Sequence, residues 1–368
     1  MRIAVLNAGT GTVKLALVEV ARGASRLRLR ETVERAEDEP SETAVLEALA
    51  RLPRGDVAAV AHRVVHGGSE FVRAVRLDDA VERALEELVP LAPLHNPPAL
   101  EGIRLARRAL PELPAVAVFD TAFHAGRAPA SRLYALPREV ARAHALERYG
   151  FHGLAHAALL EALARAQGAD PGTVDAVTLQ LGSGCSACAI EAGRSVETSM
   201  GFTPLEGLPM ATRSGDVDPS IVIHLLRSGY TLDGVETLLN REAGFRGLAG
   251  SADVRAVLRA EAAGDPDAAL ALGLFVRRVV ATVGAYFTLL GGRGSLVFGG
   301  GIGTNSAEVR GRVATGLAAW DVALDPERNR AGTPGLLSRP GSRPVFVFET
   351  EEEPLIAREA AALLGAAG

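Results

Sequence analysis

One short polar pattern occurs twice in this chain, about half its length apart, each time between two apolar runs. Residues 7–12 read Asn-Ala-Gly-Thr-Gly-Thr, and residues 180–185 read Gln-Leu-Gly-Ser-Gly-Cys. A tight glycine turn between apolar runs predicts strand, turn, strand in both places. Glycine permits positive φ angles and lets backbone N–H groups approach a ligand. The repeat therefore predicts two related halves whose loops could clamp a chain of phosphates.

The rest of the chain mixes short apolar strands with helical patterns, which is typical of α/β domains. We expect two similar domains facing a cleft, an N-terminal domain over residues 1–148 and a C-terminal domain over residues 149–354. A terminal helix at about residues 355–368 is expected to pack back onto the first domain. The 368 residues, 48% of them apolar, suffice for a sizeable core.

Charge and cysteine content narrow the class of protein. The net charge of −5 provides no basic footprint for nucleic acid, so local arginines and glycine loops must hold any anionic ligand. The first apolar run is short and is interrupted by Asn7, so we expect neither a signal peptide nor a membrane span. Cys185 and Cys188 have no second Cys/His pair nearby to complete a zinc site, and we expect two free core thiols in a cytoplasmic protein.

Two arginines are candidates for binding an anion. Arg63 lies inside a largely apolar run at the end of a predicted strand, where a surface arginine is unusual. Arg213 lies in a loop that has too few apolar residues to be core. The guanidinium fork binds a carboxylate or a phosphoryl group through two nitrogens, so either ligand suits this pair.

Some acidic side chains and a histidine lie at the ends of predicted strands and helices, where each could serve either chemistry or structure. Asp120 closes the apolar strand 115–119, a common position for a magnesium or catalytic acid and also for a capping residue. Residues 351–353 are three glutamates at the start of the last helix, where acidic runs usually compensate the helix dipole. His152, between Phe151 and a glycine, is the histidine least like a surface residue.

A glycine-rich turn at residues 299–303 follows the apolar strand 296–298. The dinucleotide fingerprint would need glycine at position 306, where Ser306 stands, and the chain has no P-loop motif. A turn that contacts a nucleotide and a purely structural turn both stay open on these residues.

Taken together, the motifs resemble the acetate kinase (acetokinase) family of short-chain acyl kinases over nearly the whole chain. The resemblance implies α/β structure with two duplicated actin-like ATPase domains (ribonuclease H-like) and an active-site cleft between them. The matching motifs are Asn7-x-Gly9-Thr10-x-Thr12-Val-Lys14, His62-Arg-Val-Val-His-Gly-Gly68, Pro93-Leu-His95-Asn-Pro-Pro98, Phe119-Asp-Thr-Ala-Phe-His124, Arg148-Tyr-Gly-Phe-His-Gly153, Thr198-Ser-Met-Gly-Phe-Thr-Pro-Leu-Glu-Gly207, Thr212-Arg-Ser-Gly-Asp216-x-Asp-Pro219, Gly300-Gly-Ile-Gly303-x-Asn305 and Glu352-Glu353.

The resemblance also implies roles for single side chains. Arg63 and Arg213 would hold the acyl carboxylate and the moving phosphoryl group, and His152 and Arg213 would stabilise the transition state. Asp120 and Glu352 would position Mg²⁺, for which Mn²⁺ could substitute, and Asn7 would stand near the metal and the transferred phosphate.

Further residues would line the two substrates, again by resemblance. With Arg63, and with His95 as a supporting group, the acyl pocket would comprise Val65, Leu94, Phe151 and Pro204. The nucleotide would be contacted by Thr10, Thr12, Lys14, Gln180, Gly182, Ser183, Gly184, Asp253, Arg255, Gly301, Ile302 and Asn305.

The chain departs from the family pattern in its second phosphate loop, where Gln180 replaces a histidine and Ser183 an asparagine. Thr304 also replaces a glutamate. Gln180 and Ser183 keep hydrogen-bonding ability but lose an imidazole, so the changes bear on nucleotide affinity more than on reaction class.

The expected activity is ATP-dependent, Mg²⁺-requiring and reversible phosphorylation of acetate to acetyl phosphate, by a homodimer without nucleic-acid or membrane partners. Three alternatives stay open: a kinase for propionate or butyrate, a pyrophosphate-using relative, and a non-catalytic actin-like ATPase used for sensing or assembly. The pyrophosphate alternative is disfavoured because the chain has Asp253, Arg255 and Asn305. The non-catalytic alternative is disfavoured because the full set of catalytic residues is retained.

Overall fold

The computed structural model describes residues 1–8, 12–21, 24–34, 41–52, 55, 57–93 and 95–365. The chain divides into two compact units, each drawn from more than one stretch of sequence. Unit 1 comprises Met1–Ala125, Phe151–Ala158 and Glu351–Gly368, and unit 2 comprises Gly126–Gly150 and Leu159–Thr350. The domain boundary expected after residue 148 stays a prediction.

Unit 1 contains a six-stranded mixed sheet in the order β3-β2-β1-β4-β6-β5. Three strands form an antiparallel meander, while β4 and β6 run parallel to β1 and β5 is antiparallel to β6. The strands are β1 (Arg2–Ala8), β2 (Thr12–Ala21), β3 (Ala24–Glu34), β4 (Ala59–Val64), β5 (Val75–Arg76) and β6 (Ala115–Phe119).

Unit 2 contains a second six-stranded sheet, in the order β11-β12-β10-β7-β8-β9. Its strands pair with the same directions as their counterparts in unit 1. They are β7 (Ala176–Leu181), β8 (Cys185–Glu191), β9 (Arg194–Thr198), β10 (Ser295–Gly299), β11 (Gly335–Leu336) and β12 (Val345–Val347). The shared order confirms the α/β class and the duplication that the repeated turn predicts.

Helices cover both faces of the first sheet. Alternate side chains of β1 and β2 point to opposite faces, as the period of a strand requires. One set packs with α1 (Ser41–Ala50) and α3 (Asn96–Ala109), and the other packs with α15 (Glu352–Gly365) through Leu355 and Ile356. The remaining α-helix wholly in unit 1 is α2 (Asp79–Glu87). The C-terminal helix therefore packs on the first sheet.

The helix α6 (Gly153–Gln167) has residues assigned to both units. The α-helices wholly in unit 2 are α4 (Pro129–Arg132), α5 (Arg138–Ala143), α7 (Pro219–Arg227), α8 (Leu232–Thr237), α9 (Gly244–Ala249), α10 (Val254–Ala262), α11 (Pro266–Leu289), α12 (Gly300–Asn305), α13 (Ala307–Gly316) and α14 (Pro326–Ala331).

The 24-residue helix α11 is the core helix of unit 2. In the described part of the chain it alone is long and apolar enough to cross a membrane, with a mean hydropathy of 1.6 over its most apolar stretch. One face nevertheless packs inside the unit, where Phe275, Val279 and Val283 are fully buried. Over that apolar stretch 33% of the residues are buried inside the unit, and Leu270 and Leu289 are exposed.

Candidate active site

Arg63 and Asp120 meet at the carboxyl ends of the neighbouring parallel strands β4 and β6. Arg63 Nε donates to Asp120 Oδ1 at 3.0 Å, and Arg63 Nη2 donates to Oδ2 at 2.5 Å. The strand register pairs Arg63 with Val118 and Val64 with Phe119, so the two side chains leave the sheet at the same edge. The side chain of Asp120 is only 1% exposed, and Arg63 supplies its charge partner.

Two more predicted residues join this pair. Glu352 Oε2 lies 3.5 Å from Arg63 Nε, because α15 begins beside the strand ends. Asn7 Oδ1 accepts a long hydrogen bond of 3.4 Å from Arg63 Nη1, and Asn7 pairs across the sheet with Lys14. The structure thus brings together four of the residues assigned to catalysis or metal binding.

The charges at this site perturb one another. Burial disfavours the charge on Arg63, but Asp120 and Glu352 outweigh it and raise the pKa of the guanidinium. Burial also raises the pKa of Glu352, opposed by Arg63 and reinforced by Asp120. Crowded carboxylates with one close guanidinium form a site that favours additional positive charge.

His152 lies directly before α6, in a backbone conformation that few residues other than glycine adopt. Its φ angle is +57°, and the next residue, Gly153, donates its N–H to the carbonyl of Asp120 at 2.9 Å. A Cβ at Gly153 would lie 2.1 Å from that carbonyl oxygen, so only glycine fits there. The contact ties the His152 turn to the residue that holds Arg63.

The predicted acyl-pocket residues of unit 1 flank the same strand end. Val65 is partly exposed just beyond β4, and Phe151 is buried with its ring edge-on to His66 at 5.3 Å. The Asn96 side chain bonds both the N–H and the carbonyl of His66 at 3.1 Å, which fixes this turn against α3. His95 is the residue before that helix. Thr10 and Leu94 lie outside the described residues, as does the side chain of Thr12.

Arg213 lies in a loop of unit 2 that Asp216 closes. The N–H of Asp216 donates to the carbonyl of Gly207 at 3.0 Å, and the N–H of Gly207 donates to Asp216 Oδ1 at 2.8 Å. Gly207 has φ +104°, and a Cβ there would lie 2.4 Å from the carbonyl oxygen of Ser199. The loop is therefore closed at its base by a backbone conformation that suits glycine.

The guanidinium of Arg213 has few protein partners. Its Nη1 donates to the carbonyl of Pro204 at 3.0 Å and lies 3.5 Å from the sulfur of Met210. It makes no salt bridge with any described residue, and burial lowers its pKa. A partly buried cation without a carboxylate partner suits an anionic ligand. Pro204 and Arg213 are thereby in contact, as two predicted substrate residues.

The second phosphate loop joins the glycine-rich turn through a side chain that the sequence analysis missed. Thr350 Oγ1 donates to Gln180 Oε1 at 2.8 Å and accepts from the N–H of Gly300 at 3.1 Å. The side-chain oxygen of Gln180 therefore accepts a hydrogen bond within the protein, and the NH₂ group is the remaining polar group of this amide. The carbonyl of Ser183 accepts from the N–H of Ala211 at 3.1 Å, which ties this loop to the Arg213 loop.

The other predicted nucleotide residues form local groups in unit 2. Asp253 caps α10 and pairs with Arg255 at 3.0 Å, and Asn305 Nδ2 donates to the carbonyl of Gly301 at 2.9 Å. Gly182, Gly184 and Ile302 lie in the β7–β8 turn and in α12. Cys185 and Cys188 are free and buried, as expected, and burial raises the pKa of both thiols to about 12.

The donor set of unit 1 fits magnesium held in part by a substrate. Among the described residues, no group of three or more His, Cys, Asp or Glu side chains could hold a metal alone. Mg²⁺ is usually bound through one or two carboxylates, with waters and substrate phosphates completing its shell. Asp120 and Glu352 both lie at Arg63, and the amide oxygen of Asn7 is a further hard donor.

Residues beyond the predicted set also shape the site. Glu206 accepts hydrogen bonds from Tyr134 Oη and from Arg148 Nη1, and these contacts join segment 198–207 to the chain before Phe151. Glu206 and Asp216 lie within motifs that match the family, and this match is the sequence signal that could have identified them. No local pattern distinguished Thr350.

Comparisons with known proteins identify the family of this chain. The acetokinase family profile matches residues 32–358. An acetate kinase of Leifsonia xyli subsp. xyli is 42% identical over 387 residues, covering 97% of this chain and 98% of that protein. The crystal structure of Porphyromonas gingivalis acetate kinase has a TM-score of 0.87 and 33% identity over 99% of both chains. A propionate kinase from Francisella tularensis has a TM-score of 0.87 and 32% identity, covering 97% of this chain and 98% of its own. The chain belongs to the acetokinase family.

Proposed function

We propose that this protein is an acetate kinase, which transfers the γ-phosphoryl group of ATP to acetate and releases acetyl phosphate and ADP. The observation that most strongly supports the proposal is the Arg63 site. In this chain Asn7, Asp120 and Glu352 all lie against the guanidinium of Arg63. A purely structural use of the fold would not require this grouping of charge.

The reaction asks little covalent chemistry of the protein. An acetate carboxylate is already ionised at neutral pH and attacks without a general base. An oxygen of acetate forms a bond to phosphorus while the bond to the bridging oxygen of ADP breaks in line. Catalysis then consists of positioning and of neutralising charge on the transferring group.

Arg63 and Arg213 are assigned complementary tasks in this transfer. Asp120 holds Arg63 through two nitrogens, which pre-organises the guanidinium, and within the described chain Nη1 makes only the long contact to Asn7. Arg213 has no carboxylate partner among the described residues, so a substrate anion would be its first full charge partner. One preorganised donor of this type is worth about 3–4 kcal/mol of barrier.

His152 is assigned to the oxygens of the transferring phosphoryl group. It lies at the amino end of the 15-residue helix α6, where unsatisfied N–H groups favour negative charge. The N–H of Gly153 donates to the Asp120 carbonyl, and this contact fixes the backbone that carries the imidazole.

Magnesium is assigned to Asp120, Glu352 and Asn7, and Mn²⁺ is expected to substitute for it. The bound cation would neutralise phosphate charge as the terminal phosphoryl group leaves ADP. Glu352 supports this assignment because it is a second carboxylate beside Arg63 and close enough to Asp120 for the two charges to interact, an arrangement that a bound cation would stabilise.

The nucleotide is assigned to Gln180, Gly182, Ser183 and Gly184 at its phosphates, with Thr10, Thr12 and Lys14 from the first loop. Asp253, Arg255, Gly301, Ile302 and Asn305 are assigned to adenosine. The link from Gln180 through Thr350 to Gly300 supports this grouping, because it joins the phosphate loop to the glycine-rich turn within unit 2.

The acyl pocket is assigned to Val65, Leu94, Phe151 and Pro204, with His95 as a supporting group. A propionate kinase of similar structure makes propionate a second candidate substrate. The two acids differ by one methylene, which a small apolar pocket discriminates by only about 1–3 kcal/mol.

The working form is proposed to be a cytoplasmic homodimer without membrane or nucleic-acid partners. Large apolar side chains stay exposed on unit 2, among them Ile221, Ile223 and Leu226 on α7 and Leu232 at the start of α8. A second copy would cover such side chains. Light scattering of the parent and of Leu232→Glu tests the dimer, and a parent that stays monomeric at micromolar concentration contradicts it.

The activity is tested by an acyl-hydroxamate assay with acetate, propionate and butyrate, each combined with ATP, GTP or pyrophosphate. We expect the highest kcat/KM with acetate and ATP and a requirement for Mg²⁺. Turnover only with pyrophosphate would overturn the choice of donor. Absence of acyl phosphate with every pair would leave the non-catalytic ATPase as the better reading.

A further inference from the structure

Arg310 is the largest fully buried side chain of the described chain, and it serves no step of the proposed reaction. It lies on α13 and is 1% exposed. Its Nη1 donates to the carbonyls of Gly303 at 2.9 Å and Thr304 at 2.7 Å. Its other nitrogens bind Asn329: Nε donates to Oδ1 at 2.8 Å, and Nη2 donates to the backbone carbonyl at 2.6 Å.

This buried cation has no carboxylate partner among the described residues, and burial lowers its pKa. Its four hydrogen bonds go to charge-neutral carbonyl and amide oxygens. Replacing a buried arginine that has this many well-placed acceptors should destabilise the fold, since each lost contact leaves a buried polar group without a hydrogen-bond partner. Its four contacts hold the chain on either side of it in one arrangement.

The segment that Arg310 holds is α12, a helix of six residues. A helix this short contains few internal hydrogen bonds and is not stable alone. Its amino end is fixed because the N–H of Gly300 donates to Thr350 Oγ1. Its carboxyl end is fixed by Arg310, whose charge faces the last-turn carbonyls where the helix dipole is negative.

Asn329 extends the anchor to a second element. It follows Pro326 on α14, and its Nδ2 donates to the carbonyl of Ala307, the first residue of α13. The Arg310–Asn329 pair therefore locks the end of α12 and the start of α13 onto α14. Between these fixed ends lie Gly301, Ile302 and Asn305, the residues assigned to adenosine.

We propose that Arg310 and Asn329 are positioning residues for the nucleoside half of ATP, acting through the fixed geometry of α12. The inference rests on the proposed function, because it takes ATP as the donor. Neither side chain is assigned a contact with substrate. Loss of the anchor should therefore weaken nucleotide binding while leaving the acyl site and the phosphoryl-transfer step as they are.

The test compares Arg310→Lys, Asn329→Leu and Asn329→Asp with the parent. Arg310→Lys keeps the charge but cannot fork to four acceptors, and Asn329→Leu removes the side-chain acceptor of Arg310 Nε. Both should raise KM for ATP by about 2- to 30-fold, the range of indirect effects through packed networks. KM for acetate and kcat at saturating ATP should stay within about twofold of the parent. Asn329→Asp keeps the acceptor for Arg310 Nε and gives it a charge partner, but it loses the Nδ2 donor to Ala307, so it should recover part of the ATP affinity.

Arg312→Gln is the matched control. Arg312 is on the same helix but faces Glu261 and Glu308, so its loss removes one arginine without touching α12. Its KM for ATP should equal that of the parent. Calorimetric titration with ADP gives a second readout that does not depend on turnover, and thermal melts report folding.

Several results would overturn the inference. Unchanged ATP and ADP affinity in folded Asn329→Leu would do so, as would equal losses in Asn329→Leu and Asn329→Asp. A rise in both KM values together, or the same rise in Arg312→Gln, would indicate general loosening. Failure of Arg310→Lys to fold leaves the two Asn329 variants to decide. An inactive parent that binds ADP would count against the acetate kinase proposal and leave the calorimetric comparison intact.

Discussion

Asp120 and Arg63 are joined by two hydrogen bonds although they lie 57 residues apart in the chain. The pairing is a consequence of topology, because β4 and β6 are parallel neighbours and both side chains follow from their carboxyl ends. Asp120 thereby occupies Nε and Nη2 of the guanidinium and fixes its plane. The same carboxylate is proposed to help hold magnesium, so it links the arginine to the metal site.

Replacing Asp120 by Asn should therefore affect both partners. We expect kcat to fall by at least about a hundredfold, because the guanidinium loses its charge partner and the metal loses a hard ligand. A magnesium titration should show a higher half-saturating concentration, and Glu352→Gln should shift it in the same direction. Glu261→Gln, which breaks an ion pair with Arg312 elsewhere, serves as the control and should leave kcat unchanged. If the magnesium titrations of both site variants overlay that of the parent, these two acids have a structural role and do not hold the metal.

Arg213 is expected to matter for the chemical step and little for folding. Arg213→Ala should lower kcat by at least about a hundredfold, because it removes a charge that the transition state uses. Among the described residues its guanidinium hydrogen-bonds only the Pro204 carbonyl and the Met210 sulfur, so the melting temperature should change little. Arg213→Lys should restore part of the rate, since an ammonium keeps the charge without the fork. A folded alanine variant with near-normal kcat would remove Arg213 from the mechanism.

Most of what could be predicted about the fold came from the glycine turn that occurs at residues 7–12 and again at residues 180–185. It predicted the duplication, and the two sheets have the same strand order. The sequence analysis missed β3, whose exposed positions carry arginines, as on an edge strand that avoids pairing with other chains. The alternation of Leu27 and Leu29 with arginines was the signal for it. Pro97 and Pro98 lie in the first turn of α3, where proline is well tolerated, although proline more often marks a turn in a sequence.

The side-chain partners were less accessible than the elements. That Asp120 ends a strand could be read from the apolar run before it, whereas its pairing with Arg63 depends on which strands are neighbours. Thr350 binds the backbone of Gly300, 50 residues away in the chain, and Arg310 binds carbonyls of the preceding helix, and neither stands in a pattern that marks such contacts. Long-range hydrogen bonds of this kind follow from the fold and leave no local trace.

Gln180 offers a pH-dependent test of the phosphate loop. Its oxygen accepts from Thr350, a contact that neutral histidine can keep through a ring nitrogen. Gln180→His should therefore bind ATP more tightly below about pH 6.5, where the imidazole is protonated and adds a positive charge, and differ little from the parent above about pH 7. KM for ATP measured from pH 5.5 to pH 8 checks this, with Gln180→Leu as the uncharged control. An effect of the histidine that does not vary with pH would rule out the charge argument.

Buried histidines should make the fold sensitive to acid. Burial lowers the pKa of His62 to about 3, of His156 to about 3 and of His66 to about 4, from an ordinary value of 6.5. Below pH 6.5 the unfolded chain binds protons that the folded chain does not, so stability is full above that pH and falls as pH drops toward the folded values. His62→Leu should reduce the pH slope of the unfolding free energy between pH 6 and pH 5 by about 1.4 kcal/mol per pH unit.

Urea unfolding of both proteins across that pH range measures the slope. The Nε2 atom of His62 is buried with no hydrogen-bond partner among the described residues, so leucine should cost little at pH 7. Equal slopes for His62→Leu and the parent would show that His62 is not a neutral buried group.

Acid preference depends on the walls of the proposed pocket. Val65 is partly exposed just beyond β4, two residues after Arg63, and the ring of Phe151 packs edge-on against His66. Val65 is thus the wall that can be shortened without disturbing a packed ring. Val65→Ala should raise the kcat/KM for propionate and butyrate relative to acetate, by about 1–3 kcal/mol at most for each methylene accommodated.

Competition assays with the three acids at fixed ATP measure this ranking directly. The parent should prefer acetate to propionate by a modest factor and reject butyrate more firmly, because one methylene changes binding in a small apolar pocket only slightly. Val72→Ala, a change at an exposed side chain beyond the turn that follows β4, is the matched control and should keep the ranking of the parent. An unchanged ranking in Val65→Ala, or a parent that already favours butyrate, would mean that Val65 does not line the acyl pocket of this chain.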